Sequence, residues 1–305
     1  MNSRLKVIYI AGWGRSGSTI LQNLLGEIDG FQPLGELYSI GRRYLEKHRC
    51  GCGEPLDACG QWKAILDHAF GSFDPAAAGR LHRSLHSVRT RHLPLLLTSP
   101  GRQRVLEQSA EARSDIAKLY AAAQQHTGCE VLIDSSKNPL FGFLLTAVES
   151  IDVSFVHLVR DPRGVAFSGQ RSRLLHGRRD RVRQSRSHPA KTSIMWNFWN
   201  LAARRLLGKD STRYMCLRYE DFVECPRETL QLILSLVGEP RDSLPFVSAR
   251  EVRLGPSHTV GGNPARYRTG MVQLRPDDEW QGAMTLSDKS LVRALTWPLL
   301  GRYGY

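Results

Sequence analysis

The chain has 305 residues, 41% of them hydrophobic, enough for one large α/β domain or two small ones with a sizeable core. Its formal net charge of +13 favours anionic partners and leaves open nucleic acid, a membrane surface, a phosphorylated cosubstrate and an acidic substrate. No apolar run approaches the ~18 residues needed to span a membrane. The short apolar run after Lys6 flows into a glycine loop rather than a cleavage site, so a cytoplasmic protein with no membrane span is expected.

The run Val7–Ile10 predicts a first strand, and Ile20, Leu21, Leu24, Leu25 and Ile28 recur at helical spacing. Between them lies Gly12-Trp13-Gly14-Arg15-Ser16-Gly17-Ser18-Thr19. A strand, a Gly-rich turn and a helix N-terminus form a phosphate cradle, because the first-turn N–H groups are unpaired and carry partial positive charge. Gly12 and Gly17 fit the nucleotide-triphosphatase spacing G-x-x-x-x-G-K-[ST], but Ser18 stands where its lysine belongs. The loop suits a phosphate ligand whose terminal phosphoryl group is not being transferred; an ordinary Gly/Ser turn is the plainer alternative.

Downstream, Gln32–Leu37 reads as a short extended piece with Glu36 near its end, and a helix is expected from about Gln61 to Phe70. Residues 74–127 read as two or more helices forming an insertion. Strands are expected at Cys129–Asp134, Val153–Val159 and Tyr214–Tyr219, and helices at Leu140–Glu149, after Pro162, from Ser193, at Pro226–Val237 and at Asp288–Leu300. The arginine-rich run at 171–187, with Asp180 its one acid, reads as a solvated loop. Residues 255–277 read as a polar Gly/Pro stretch. Strands alternating with helices imply a parallel sheet covered on both faces, with ligands beyond the carboxyl ends of the strands. Arg15, Lys137 and Arg160 fall at three such ends.

Six cysteines are present, and Cys129, Cys216 and Cys225 fall in or near elements expected to be buried as free thiols. Cys50, Cys52 and Cys59 form a tighter cluster that could hold a metal or form one disulfide. Three ligands without an obvious fourth make a weak zinc site, although His48 is two residues away. The plain alternative is a Gly-rich loop packed by small cysteines.

Two motifs resemble those of the sulfotransferases that use 3′-phosphoadenosine 5′-phosphosulfate, particularly the bacterial branch and its carbohydrate- and tyrosylprotein-sulfating relatives. Gly14-Arg15-Ser16-Gly17-Ser18-Thr19 resembles the family's 5′-phosphosulfate loop. Leu158–Ser168, with Arg160 and Ser168 eight positions apart, resembles its 3′-phosphate segment. Gly35-Glu36 is similar to the dipeptide that supplies the base in tyrosylprotein-type members, and Asp134–Pro139 to the segment carrying a catalytic lysine, here Lys137. Arg218-Tyr219-Glu220-Asp221 resembles the segment whose tyrosine lies near the adenine. Gly261–Arg268, with Arg266 and Arg268, resembles the C-terminal loop that closes over the nucleotide.

The resemblance implies a P-loop-type three-layer sandwich, a single domain over 1–305 with the helical insertion at about 74–127, and sulfuryl transfer to an acceptor hydroxyl of a sugar, lipid or other small molecule. Arg15 and Lys137 are then the candidates for stabilising charge on the sulfuryl and leaving-group oxygens, and Glu36 for the base. Cations around Glu36 would lower its pKa, and burial beside Leu34 and Leu37 could offset that. His157 competes as a base by residue type, but its place inside a strand favours a core histidine. Arg160 and Ser168 would hold the 3′-phosphate, unless Arg160 is engaged by Asp161. The chemistry requires no metal. A P-loop kinase for a small metabolite and a nucleic-acid-binding protein working through the arginine run are the alternatives. Ser18 speaks against the first, and the lack of interleaved aromatics against the second.

Overall fold

The computed structural model describes residues 4–171 and 187–305. Five strands, β1 (Leu5–Gly12), β2 (Phe31–Gly35), β3 (Val131–Lys137), β4 (Ile151–Val159) and β5 (Tyr214–Arg218), form one sheet in the order β2-β3-β1-β4-β5. All four pairings are parallel. The helices that connect them are α1 (Ser18–Leu25), α2 (Ile40–Leu45), α3 (Gly60–Phe70), α4 (Pro75–Leu85), α5 (Leu93–Leu96), α6 (Ser99–Gln108), α7 (Ala110–Thr127), α8 (Pro139–Leu145), α9 (Pro162–Gln170) and α10 (Pro189–Leu207). After β5 come α11 (Tyr219–Glu224), α12 (Pro226–Val237), α13 (Trp280–Ala283) and α14 (Leu286–Tyr303).

Side-chain alternation in β1 explains why the sheet is covered on both faces. Val7, Tyr9 and Ala11 enter one apolar core with residues of α3, α4, α7 and α8. Ile8 and Ile10 enter the other with Leu21, Leu24 and Leu25 of α1 and Leu230, Ile233 and Leu234 of α12. A strand buried on both sides reads as a continuous apolar run, as β1 does. Each fully buried leucine or isoleucine contributes about 1.5–3 kcal/mol to holding these layers. The expected α/β sandwich with a central parallel sheet is therefore the observed one.

Residues 75–127 do form helices, and they share the first core rather than standing apart from it: Leu81, Leu85, Ile116, Leu119 and Tyr120 pack in the same cluster as Val7 and Tyr9. Two elements depart from the sequence reading. A small antiparallel hairpin, β6 (Glu251–Leu254) with β7 (Gly270–Gln273), forms where no strand is expected, with β7 inside the stretch that reads as a polar loop. The strand expected to end at Tyr219 ends at Arg218, and Tyr219 opens α11. Arg171 and Ser187 are the only parts of the arginine-rich run within the described residues. No described helix is long and apolar enough to cross a membrane.

The strand order places β1 between β3 and β4, so the chain leaves β1 on one side and returns on the other. That reversal opens a crevice beyond the carboxyl ends of the strands. A cleft of about 940 Å³ lies there.

Candidate active site

The cleft begins at the β1–α1 turn. Gly17 lies at the head of α1 with φ +88°, a left-handed conformation that disfavours any side chain, and a Cβ there would come within 2.5 Å of the Tyr219 ring. Both constraints demand glycine. Gly14, Arg15, Ser18 and Thr19 also line the cleft. Ser16 does not: it is buried, and its hydroxyl has no partner among the described residues. Arg15 itself sits at φ +71°. Among the described residues only Arg15, Lys47 and Lys137 are non-glycine residues with positive φ. Such a conformation costs about 1–3 kcal/mol and persists where the surroundings enforce it. Two of the three fall on expected catalytic cations.

The second motif meets the first through Arg15. Its Nε donates to Ser168 Oγ at 3.1 Å and its Nη2 to the Ser168 carbonyl at 2.9 Å. Arg160, at the end of β4, is 4% exposed; its Nη1 donates to the Arg15 carbonyl at 3.1 Å and its guanidinium lies 4.7 Å from the Tyr219 ring centroid. The carboxylate that engages Arg160 is Asp277, with Nη2 3.1 Å from Asp277 Oδ2, and not Asp161. Asp161 instead caps α9 through the Arg163 N–H and holds the Arg163 guanidinium at 2.6 Å. Asp277 has no motif around it, and sequence reasoning missed it.

Glu36 and Lys137 face each other across the cleft mouth. Lys137 Nζ donates to Glu36 Oε1 at 2.5 Å, and Arg43 Nη2 to Glu36 Oε2 at 2.7 Å. Burial is the largest single influence on the Glu36 carboxyl and pushes its pKa up, but Lys137 and Arg43 together outweigh it and bring it down to about 2. The offset expected from Leu34 and Leu37 therefore loses. Arg43, seven positions beyond Glu36 on α2, was not expected in the site; it is oriented by Ser39 Oγ at 2.7 Å.

A bulge explains how Lys137 reaches this point. Tyr9 pairs with Asp134 but Ala11 with Lys137, so β3 carries one extra residue there and the chain after Asp134 is re-aimed. Asp134 turns inward, accepting from Tyr120 Oη and from the Ser136 N–H. Its pKa rises to about 6, because complete burial outweighs its hydrogen bonds. Ser136 Oγ then accepts from the Tyr38 N–H at 3.0 Å, linking the bulge to the turn that carries Glu36. The end of α4 reaches the same side, where His86 stacks on Tyr38 at 3.9 Å.

The C-terminal segment covers α1. Val260 donates to the Leu34 carbonyl and accepts from the Glu36 N–H at 2.6 Å. Asn263 N donates to Thr19 Oγ1 at 3.1 Å. Arg268 lines the cleft. Arg266 does not line it: its guanidinium donates to Gly262 O and Tyr267 Oη of its own loop and to Arg49 O beside the cysteine cluster. The structure thus brings together Gly14, Arg15, Gly17, Ser18, Thr19, Glu36, Lys137, Arg160, Ser168, Tyr219 and Arg268 around the cleft, and Ser16 and Arg266 lie outside its lining.

His157 is a core histidine. It is fully buried between Tyr214 Oη at 2.6 Å and Asn200 Oδ1 at 2.9 Å, and burial pulls its pKa down to about 4. Cys129 is buried as expected, but Cys216 and Cys225 are exposed: the first stands on the edge strand β5 and the second between α11 and α12.

A parallel α/β sheet with a glycine turn, the buried Arg160 and a carboxylate–lysine pair beyond its carboxyl edge is an arrangement suited to holding an anionic ligand. A family model described as the sulfotransferase family matches residues 8–243, and the chain belongs to that family. Among solved structures, the chain is similar to the sulfotransferase domain from the Synechococcus PCC 7002 olefin synthase, at 21% identity and TM-score 0.50, over 96% of this chain and 95% of that one. It is also similar to the sulfotransferase domain from the curacin biosynthetic pathway, at 16% identity and TM-score 0.56, over 100% of this chain and 99% of that one. At these identities the likeness is one of fold. No functionally curated protein matches the sequence.

Proposed function

We propose that the chain is one sulfotransferase domain that takes 3′-phosphoadenosine 5′-phosphosulfate as donor and moves its sulfuryl group to the hydroxyl of a small-molecule acceptor such as a sugar or lipid. The observation that carries this reading is the meeting of two motifs 153 residues apart, Arg15 with Ser168, in a cleft that also holds Arg160 and Lys137. A donor with phosphates at both ends of a ribose needs two separate anion sites joined by one cleft, and these residues supply them.

In this reading the N-terminus of α1 and the hydroxyls of Ser18 and Thr19 bind the 5′-phosphate end. Arg160 and Ser168 bind the 3′-phosphate, Tyr219 flanks the adenine, and Arg268 lies over the nucleotide. Arg15 and Lys137 stabilise negative charge as it develops on the transferring group and the leaving oxygen. Glu36 receives the acceptor proton. Pinned by two cations, Glu36 is a weak base; when Lys137 turns to the donor, one of those cations is withdrawn and the carboxylate becomes more basic at the moment it is needed. The helices of residues 75–127, which reach Tyr38 through His86, are assigned to shaping the acceptor site.

Calorimetric titration with 3′-phosphoadenosine 5′-phosphate, with ATP and ADP as competitors, tests the donor. Tight binding to the wild type and its loss in Arg160→Ala are expected, with weak competition from ATP in the absence of Mg²⁺. Indifference to the 3′-phosphate, or preference for Mg²⁺-ATP, would overturn the assignment.

A further inference from the structure

We infer that Cys50, Cys52, Cys59 and His258 form a structural zinc site that fastens the C-terminal loop to the body of the protein. The three cysteines come from one loop, and the fourth donor comes from 199 residues downstream of Cys59. Their donor atoms all lie within 4.8 Å of one another. Cys52 Sγ is 3.8 Å from Cys59 Sγ, Cys50 Sγ is 3.8 Å from His258 Nδ1, and Cys59 Sγ is 3.3 Å from the same nitrogen. A tetrahedral zinc with bonds of about 2.3 Å to sulfur and about 2.0–2.1 Å to nitrogen requires edges of about 3.8 Å between sulfurs and about 3.6 Å from sulfur to nitrogen. The observed distances are close to these. Three thiolates and an imidazole form a closed structural donor set, and soft sulfur ligands in tetrahedral array select zinc over magnesium or calcium. His48, the nearer histidine in sequence, is instead held by Glu46 and Arg43.

The surroundings are built to hold this arrangement. Trp62 Nε1 donates to the His258 carbonyl at 2.6 Å, fixing the backbone from which the imidazole projects. Gly51 N donates to the Thr259 carbonyl at 3.0 Å, and a Cβ at Gly51 would come within 2.5 Å of the Ser257 carbonyl. The cysteine loop and the histidine loop are thus packed too closely for a side chain between them. Cys59 itself stands at the N-cap of α3, so that ligand is carried on a rigid element.

The consequence reaches the cleft. Val260, two residues beyond His258, bonds to Leu34 and Glu36, and Asn263 bonds to Thr19. The zinc site therefore sets the position of the segment that carries Gly262, Asn263 and Arg268. This effect on nucleotide binding rests on the function proposed above; the zinc site does not.

Elemental analysis of protein purified from zinc-supplemented cells is expected to give about one zinc per chain, lost in Cys59→Ser and retained in His258→Cys, which keeps four donors. Replacement by Co²⁺ is expected to give intense visible bands of a tetrahedral ion together with thiolate-to-cobalt charge transfer. This second measurement needs no variant and decides the matter if Cys59→Ser does not fold. Zinc-free wild type with no cobalt spectrum, zinc retained equally in Cys59→Ser, or a disulfide within the cluster by mass spectrometry would each overturn the inference. Zinc present without affinity for 3′-phosphoadenosine 5′-phosphate would leave the site standing and sink the donor assignment.

Discussion

Glu36 and Lys137, 101 residues apart in sequence, share one partly buried ion pair at 2.5 Å, and Arg43 completes it from the other side. The carboxylate therefore stays ionised far below its ordinary pKa of 4.5. Because the folded value is lowered, the stability contributed by Glu36 is present above pH 4.5 and is lost as pH falls toward about 2. Glu36→Gln is expected to lower kcat by on the order of 10²–10⁴, with the affinity for 3′-phosphoadenosine 5′-phosphate unchanged. In the free enzyme the acid limb of kcat/KM set by Glu36 is expected to lie well below pH 4.5, toward its folded pKa of about 2. A variant of full activity would remove Glu36 from the chemistry.

Asp134 titrates with the opposite sign. Its folded pKa is raised from 3.8 to about 6, so the stability linked to its proton is present below pH 3.8 and lost as pH rises through about 6. Asp134→Asn cannot ionise and is expected to lose this component. Urea denaturation of both proteins across that range checks it: the wild type declines relative to the variant as pH rises. Parallel curves would show that Asp134 keeps an ordinary pKa.

The sheet and the cleft were largely legible in the sequence, for a physical reason. Strands such as Val7–Ile10 are buried on both faces, so they stand out as apolar runs, and the residues that follow their carboxyl ends must face the crevice. What escaped were partnerships between distant segments. His258 carries no local sign that it will meet Cys59, and Asp277 none that it will meet Arg160. The β6–β7 hairpin has strands of four residues whose alternation leaves only Val252, Leu254 and Val272 buried, too faint a pattern to separate from a loop. Cys216 and Cys225 misled because a cysteine near an apolar run is usually inside.

Asp277 occupies Arg160 in place of an anion, and its removal is expected to separate stability from binding. Asp277→Ala leaves the buried Arg160 guanidinium without its carboxylate. The loss should be smaller than the ~3–5 kcal/mol of a fully buried pair, because the Asp277 side chain is 31% exposed. A phosphate that restores the missing charge should then stabilise the variant more than the wild type. Thermal unfolding with and without 3′-phosphoadenosine 5′-phosphate measures this. An equal ligand-induced rise in Tm in both proteins would show that the phosphate does not meet Arg160.

Gly17 and Tyr219 make a coupled pair. Gly17→Ala adds a Cβ 2.5 Å from the Tyr219 ring at a backbone φ of +88°. The backbone part is expected to cost about 1–3 kcal/mol whatever stands opposite. The steric part should vanish when Tyr219→Ala is added, giving a coupling of about 0.5–3 kcal/mol in a double-mutant cycle. Additive effects would show that the ring moves aside without strain.

The placement of β1 at the centre of the sheet has a consequence for biosynthesis. β1 ends at Gly12, yet the neighbours it pairs with begin at Val131 and Ile151. A ribosome must therefore go on to make both later strands before β1 has partners on its two edges. During that interval an apolar strand and the glycine cradle behind it are exposed to other nascent chains. Closing so long a connection is slow compared with forming α1 or α7. Yield in expression should accordingly respond to slower translation or to chaperones more than to changes in the cleft.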